Sequence, residues 1–369
     1  MRPAARHLMD DYISRKLKVL SFLSVILVVI THGYNLKDRF LLPQTRVLEP
    51  LSVATFIEYF VSGGLARFSV PFFFAASGYL FFYDLRPTAR GFGDKLRRRL
   101  RSLALPYLLW NALGVGLVLA TQDQPLLNPS GFHWVRLLDG GPWARELIGA
   151  LVRPIAFQLW FMRDLMVCVL LSPLLYWLIA RFSFWVLVPL AIPWLLQLPL
   201  TILEPESILF FVGGGILAVH RVDLRPRVTG VAGRWIAWLL PLDLALITVK
   251  TLLAHGPSPN PALLLALHRA VILCGLFWAW YAYDGFGERL HQSRLVQLAA
   301  FTFFIYAAHE PLLIIFSDFC LVVLGTAPAT LLAVYLGAPA VIFGLCLLLG
   351  MALRRWARPV FLTLTGGRG

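Results

Sequence analysis

KVLSFLSVILVVITHGYN, from Lys18 to Asn35, is an apolar stretch that carries the ionisable side chain of His32 near one end. A helix needs about 20 mainly apolar residues to cross the hydrocarbon layer of a membrane. An ionisable residue inside such a helix is energetically costly, so a functional role is the default hypothesis for it. The stretch therefore predicts a membrane helix and a candidate functional residue together.

The composition of the whole chain agrees with a membrane protein. Of 369 residues, 59% are hydrophobic, and apolar runs recur along the sequence. We predict an all-α polytopic membrane helix bundle with about ten transmembrane helices. Their approximate bounds are 19–36, 56–83, 103–120, 155–179, 184–200, 208–220, 235–253, 261–283, 296–319 and 330–353. The long second segment, with Gly63, Gly64 and Pro71, and the short, Gly-rich sixth segment are candidates for broken or interfacial helices.

Charge distribution predicts the orientation. With the N-terminus in the cytoplasm, most of the 33 Lys and Arg residues fall on the inner side, as the positive-inside rule expects. Ten helices then leave both termini in the cytoplasm. One membrane domain occupies 1–369, with a cytoplasmic N-terminal segment (1–17), an outer-face loop (121–153) and a cytoplasmic tail (354–369).

The net charge of +14 is explained by the cytoplasmic loops, and the chain has no nucleic-acid-binding motif. Its four cysteines lie singly inside apolar runs, without the spacing of zinc or redox sites. We therefore expect no nucleic-acid partner and no metal. Membrane lipids are the expected surroundings.

A second histidine, His309, and the adjacent Glu310 lie in FTFFIYAAHEPLL. His32 is about 21 Å along the first helix from Lys18, at 1.5 Å per residue, and His309 is a similar distance along the ninth. The two imidazoles are therefore expected at similar depth, toward the outer side. The alternative for either histidine alone is a buried polar group that is hydrogen-bonded between helices.

Arginines cluster just before the third helix, in RRRLRSLALPYLLW. The cluster comprises Arg97, Arg98, Arg99 and Arg101. A topology signal explains most such clusters. Guanidinium groups also bind phosphates well, so a phosphate site on the inner face is the second interpretation.

Two further stretches contain polar residues in apolar surroundings. In RFSVPFFFAASGYLFF, Arg67 is a candidate interfacial residue, while Ser77 and its neighbouring glycine favour close helix packing. In QLWFMRDL, Arg163 and Asp164 lie well inside an apolar run. Because neighbours on a helix point in different directions, each is expected to have its own polar partner.

These stretches in their order, LVVITH, RFSVPFFFAASGYLFF, RRRLRSLALPYLLW, QLWFMRDL and FIYAAHEPLL, resemble the integral-membrane acyltransferase 3 family. The similarity runs from about residue 16 to 355 and is greatest to fucose-4-O-acetylase-like and exopolysaccharide-acetylating members. It implies transfer of an acyl group, commonly acetyl, from cytoplasmic acyl-CoA to a hydroxyl of a sugar or lipid-linked glycan. A bacterial-type inner (plasma) membrane is the implied location, and lipopolysaccharide and exopolysaccharide are among the implied acceptors.

The resemblance also assigns residues. The family's first-helix histidine falls on His32 and its late histidine on His309, and the donor motif falls among the arginines before the third helix. Many members have an arginine where this chain has Ser21, and Lys18, one turn earlier, is the expected replacement. Residues expected to support the site or the substrate are Asn35, Arg67, Ser77, Trp160, Arg163, Asp164 and Tyr306.

The resemblance and the predicted topology suggest one mechanism. Arginines at the cytoplasmic mouth hold acetyl-CoA, and His32 acts as general base on the acceptor hydroxyl. An acyl-histidine relay through the same residue is an open alternative. Glu310 or Asp164 are candidates to orient an imidazole, and His309 or Arg163 to stabilise the oxyanion.

Two other classes of protein compete with the enzyme. A transporter or flippase also contains broken helices and buried charges, but it predicts an internal repeat that the sequence lacks. A purely structural membrane protein leaves the buried ionisable residues unexplained.

Overall fold

A computed structural model describes residues 11–36, 42–121, 123–127, 154, 156–200, 202–225, 236–286, 289–290 and 293–368. Within these residues the chain is helical and contains no β-strand, which confirms the predicted all-α class. The helices are α1 (Asp11–His32), α2 (Val53–Phe60), α3 (Ser69–Tyr83), α4 (Ala89–Thr121), α5 (Trp160–Leu170), α6 (Ser172–Phe182), α7 (Leu187–Leu196), α8 (Pro205–Val219), α9 (Leu239–Ala254), α10 (Pro261–Gly285), α11 (Leu295–Leu298), α12 (Thr302–Leu324), α13 (Pro328–Trp356) and α14 (Arg358–Leu364).

Six helical stretches of the described chain are long and apolar enough to cross a membrane. They are Val53–Tyr83, Ala89–Thr121, Ser172–Leu196, Pro261–Gly285, Leu295–Leu324 and Pro328–Trp356. The expected count of ten and the orientation stay predictions. Most of the predicted outer-face loop (121–153) lies outside the described residues.

The second segment is interrupted, as its glycines predicted. Ser52 caps α2 by accepting a hydrogen bond from the backbone N–H of Thr55 at 3.2 Å. After α2 the chain forms a π-helical turn, Val61–Leu65, and α3 then begins at Ser69. A π-helical turn widens the helix locally and is often found at functional sites.

Helices α3 and α8 pack backbone against backbone through glycines. A Cβ atom on Gly78 would lie 1.9 Å from the carbonyl oxygen of Phe211, and one on Gly214 would lie 1.8 Å from that of Ala75. Such contact is possible only without side chains. The packing interpretation of the Ser77–Gly78 pair is confirmed for the glycine.

Helix α12 is kinked at Glu310, whose φ of −105° and ψ of 140° are extended. Pro311 follows, and proline both lacks a backbone N–H and disfavours the helical conformation of the preceding residue. The amide nitrogen of Gln158 donates to the carbonyl oxygens of Ala307 and Glu310, each at 2.9 Å. The kink is therefore held by a hydrogen-bonded side chain from another part of the chain.

The described N- and C-terminal residues lie toward the same end of the bundle. Helix α13 begins beside the end of α1, where Asn35 Nδ2 donates to Leu331 O at 2.9 Å, and it runs back along α1. The predicted tail is ordered in its described part: α14 packs on α4, and Trp110 Nε1 donates to Leu364 O at 3.0 Å.

Candidate functional site

Three side chains that are far apart in sequence meet where α1 ends and α12 is kinked. The rings of His32 and His309 are perpendicular, with centroids 5.0 Å apart. Glu310 Oε1 lies 3.3 Å from His32 Nδ1. The expectation that the two histidines lie at similar depth is confirmed. We refer to His32, His309 and Glu310 as the histidine–glutamate cluster.

His309 is completely buried, and its tautomer follows from its contacts. Its Nδ1 atom lies 2.8 Å from Tyr306 O and 3.2 Å from Ile305 O, so Nδ1 carries the proton that these carbonyls accept. Its Nε2 atom has no hydrogen-bond partner among the described residues. The imidazole therefore presents a bare acceptor nitrogen to the cluster.

Within the histidine–glutamate cluster, only His32 is accessible to an incoming molecule. Its side chain is 17% exposed, against 3% for that of Glu310. With Nδ1 facing the carboxylate, Nε2 of His32 is free to accept a proton from a substrate. A histidine beside a buried carboxylate is the pairing that general bases use. The 3.3 Å contact is an ion-pair distance, and neither Glu310 oxygen has a hydrogen-bond partner among the described residues.

The cluster also has the geometry of a metal site. One ligand atom from each of its three residues can be chosen so that all lie within 4.8 Å of one another. Two histidines and a glutamate are the ligands of one type of catalytic zinc centre. The sequence predicted no metal, and this stays a prediction that chelation tests.

Residues of the QLWFMRDL stretch hold the cluster in place. Gln158, its first residue, bridges the carbonyls of the α12 kink and accepts a 2.5 Å hydrogen bond from Tyr306 Oη on its own carbonyl. Phe157 lies against His32, with ring centroids 6.0 Å apart. Sequence reasoning missed Gln158, although a polar amide in an apolar run was a usable signal. Tyr306 lies beside the cluster, with its carbonyl oxygen 2.8 Å from His309 Nδ1, and its supporting role stays a prediction.

Arg163 and Asp164 contact each other, so the expectation that they point apart is wrong. Arg163 donates to Asp164 Oδ1 from Nε at 2.9 Å and from a terminal nitrogen at 2.6 Å. The other carboxylate oxygen accepts from Glu204 N at 2.8 Å and from Ser207 Oγ at 2.7 Å. Both oxygens of Asp164 are thus occupied, Oδ1 by Arg163 and Oδ2 by the start of α8, and Glu310 is the acid that lies beside an imidazole.

The other expected supporting residues are dispersed. The Trp160 ring packs on Phe74, with centroids 6.3 Å apart, and Ser77 is half-buried beside the contact of α3 with α8. Asn35 follows α1, and its side-chain nitrogen Nδ2 donates a hydrogen bond to Leu331 O. Arg67 lines a cavity within the bundle, which differs from the expected interfacial position.

The arginines before the third helix lie inside α4, and they do not all lie on the same face of it. Arg97, Arg98 and Arg101 are exposed, whereas Arg99 is half-buried and interacts electrostatically with Asp84 and Arg368. Arg99 is two residues away from both Arg97 and Arg101 and points to nearly the opposite side of the helix, so the four guanidiniums cannot all face one ligand. Arg99 is the member that faces the bundle.

The buried lysine of α1 is Lys16, and Lys18 is exposed. Lys16 Nζ lies 2.6 Å from Asp284 Oδ1 and 3.7 Å from the centroid of the Trp280 ring. Tyr12 Oη donates to the same carboxylate oxygen at 2.6 Å. Sequence reasoning missed this buried ion pair, and the placement of Lys18 does not support the role expected for it.

Comparison with known proteins agrees with this architecture. The acyltransferase domain of the acyltransferase 3 family matches residues 15–351. The chain is also 29% identical over 326 residues to the succinoglycan biosynthesis protein ExoH of Rhizobium meliloti (strain 1021), which covers 84% of this chain and 80% of that protein. No solved structure matches significantly. The chain belongs to the acyltransferase 3 family of integral-membrane proteins.

Proposed function

We propose that the protein transfers an acyl group, with acetyl as the first candidate, from acyl-CoA to a hydroxyl of a sugar in an exported polysaccharide. The family supports transferase chemistry, and the similarity to a succinoglycan biosynthesis protein supports a polysaccharide as acceptor. Membership in an acyltransferase family also favours chemical transfer over the transporter or flippase alternative. The single observation that carries the proposal is the contact of the partly exposed His32 with the buried Glu310.

In the proposed reaction, His32 Nε2 removes the proton of the acceptor hydroxyl while its Nδ1–H faces Glu310. The oxygen of the acceptor forms a bond to the thioester carbonyl carbon, and the carbon–sulfur bond then breaks. The proton on His32 passes to the departing thiolate, so an ester and a free thiol are the products. General acid–base catalysis of this kind typically contributes about 10²- to 10⁴-fold in rate.

Glu310 stabilises the imidazolium that forms during proton transfer. Its carboxylate is 3% exposed, so little water screens its interaction with His32. His309 fixes the other side of the cluster through hydrogen bonds to two carbonyls of α12. In the acyl-histidine alternative the same Nε2 atom attacks the thioester, and a labelled acyl group is then trapped on the protein by rapid acid quenching.

The donor is proposed to enter from the predicted cytoplasmic side. Lys16 and His32 lie at opposite ends of α1, about 24 Å apart at 1.5 Å per residue. The basic residues of α4 and the C-terminal segment, with Arg99 and Arg368, are the candidates to bind the phosphates of the coenzyme.

The test is complementation of a strain that lacks the gene. Wild-type protein is expected to restore the acyl ester on the surface polysaccharide, as a mass increment seen by mass spectrometry. His32→Ala is expected to insert and accumulate normally, measured by immunoblot of membranes, and to leave the polysaccharide unacylated. Full acylation with this variant contradicts the proposal. Labelled acetyl-CoA supplied to inverted membrane vesicles then identifies the donor.

A further inference from the structure

A second polar region lies next to the histidine–glutamate cluster. Thr31, which precedes His32 in α1, lines a partly open cavity. Tyr34, Arg67, Lys250 and His268 also line this cavity. Ligand-binding pockets usually combine apolar walls with a few converging polar groups. This cavity has three basic side chains among its lining residues.

Lys250 is the most unusual of these residues. It is only 1% exposed, and its Nζ lies 2.5 Å from Gly63 O and 3.3 Å from His268 Nδ1. The Gly63 carbonyl belongs to the π-helical turn, so the break in the second segment provides this contact. Among the described residues no carboxylate lies within ion-pair distance of Lys250. A buried ammonium without a counter-ion is strongly unfavourable.

Arg67 also lacks an ion-pair partner among the described residues. Its Nε atom is buried and unpartnered, and no described residue forms a hydrogen bond or an ion pair with its guanidinium. A guanidinium carries five N–H donors, which normally find acceptors when they are removed from water. The Tyr34 hydroxyl on the same cavity is also buried and unpartnered. All of these donors lack a hydrogen-bond acceptor. One group with several acceptor oxygen atoms satisfies them together.

The acidic residues near the cavity form no ion pair with Arg67 or Lys250 among the described residues. Glu206 Oε2 lies 3.8 Å from Arg269 and accepts from Trp194 Nε1 at 3.2 Å. Glu58 Oε2 accepts from the backbone N–H of Asn35 at 3.3 Å. The other oxygen of Glu58, Oε1, is buried without a hydrogen-bond partner in the described part of the chain, and Glu206 interacts with Arg67 electrostatically without forming an ion pair with it.

We propose that the cavity lined by Arg67, Lys250 and Tyr34 binds an anionic oxygen group, a carboxylate or a phosphate, of the acyl acceptor. Arginine binds such groups through paired N–H donors, and a lysine adds a point charge. The identification of the ligand with the acceptor rests on the proposed function. Because Thr31 and His32 are adjacent, an acceptor held here by its anionic group presents a nearby hydroxyl to the cluster. A carboxylated sugar and the phosphate of a lipid-linked glycan are the two sources of this chemistry.

The binding test uses purified full-length protein in lipid nanodiscs, with thermal unfolding followed by tryptophan fluorescence. The probes are glucuronate, inorganic phosphate and a long-chain lipid phosphate, with glucose and sodium chloride as neutral and ionic-strength controls. We expect the wild-type protein to be stabilised by at least one anionic probe and by neither control. Stabilisation by glucuronate alone identifies a carboxylated sugar, and stabilisation by the lipid phosphate identifies a lipid-linked acceptor. If no anionic probe raises the unfolding temperature above its value with the controls, the proposal is overturned. This outcome requires no variant.

Variants then locate the site. Lys250→Met and Arg67→Gln are each expected to weaken binding of the active probe at least tenfold, while Arg46→Gln, a change at an exposed arginine bonded to Pro257 O, leaves it unchanged. Equal affinity in all variants overturns the assignment to this cavity. Where Lys250→Met does not fold, Lys250→Arg, which keeps the charge, is expected to retain binding.

The proposed acyl transfer and the proposed anion site can be disproved independently of each other. His32→Ala is expected to lose acyl transfer and to bind the anionic probe with wild-type affinity. Acylation by the wild-type protein without any anion binding leaves the proposed function intact and removes only the anion site.

Discussion

Replacing Glu310 by glutamine removes its negative charge and keeps its size. The substitution therefore isolates the effect of that charge on His32. Two unit charges 3.3 Å apart attract by about 5 kcal/mol at an effective dielectric constant near 20. This energy corresponds to a factor of about 5,000 in rate, because about 1.4 kcal/mol is tenfold. The imidazolium is only partly formed in the transition state, and His32 is 17% exposed, so water reduces the effect. We expect kcat to fall about 10²- to 10³-fold in Glu310→Gln.

The assay measures release of thiol from acetyl-CoA by protein in nanodiscs, with exported polysaccharide as acceptor. The KM for the donor is expected to change less than threefold, since Glu310 lies far from the predicted donor entrance. Asp243→Asn is the matched control, because it also removes a buried carboxylate, one that accepts from Trp278 Nε1 at 2.7 Å, and leaves the cluster intact. A kcat of Glu310→Gln within threefold of wild type, beside an inactive His32→Ala, refutes the reasoning.

Three further outcomes are expected. Arg99→Lys raises the KM for acetyl-CoA at least fivefold, because lysine keeps the charge but loses the paired donors, whereas the exposed Arg97→Lys has little effect. Equal KM values for the two variants remove Arg99 from the donor site. Gly214→Ala lowers the free energy of unfolding by about 1–3 kcal/mol or prevents folding, since its Cβ meets backbone, while Gly213→Ala, with nothing within 4 Å, is neutral or stabilising by up to about 1 kcal/mol. Denaturant titration in detergent compares them, and similar losses contradict the backbone-contact argument. Zinc chelators leave acyl transfer unchanged, because the histidine–glutamate cluster acts through proton transfer; loss of activity that added Zn²⁺ restores indicates a metal enzyme.

Apolar segment length and local sequence determined much of this protein. Membrane helices are predictable because hydrocarbon requires about 20 apolar residues and internally paired backbone groups, conditions that the six long apolar stretches of the described chain each meet alone. The kink at Glu310 follows from Pro311, the next residue. The break near Gly63 follows from the glycines of that segment. His32 was identifiable because an ionisable residue in such a segment is rare.

Only the tertiary structure decided which polar residues meet. Similar depth allowed His32 and His309 to face each other, but the rotation of each helix about its axis depends on packing across the whole bundle. The same dependence on helix rotation explains why Lys16, rather than Lys18, is buried against Asp284, and why Arg163 turns to its neighbour Asp164. The cavity of Arg67 and Lys250 joins segments 183 residues apart in sequence, so no local pattern predicted it.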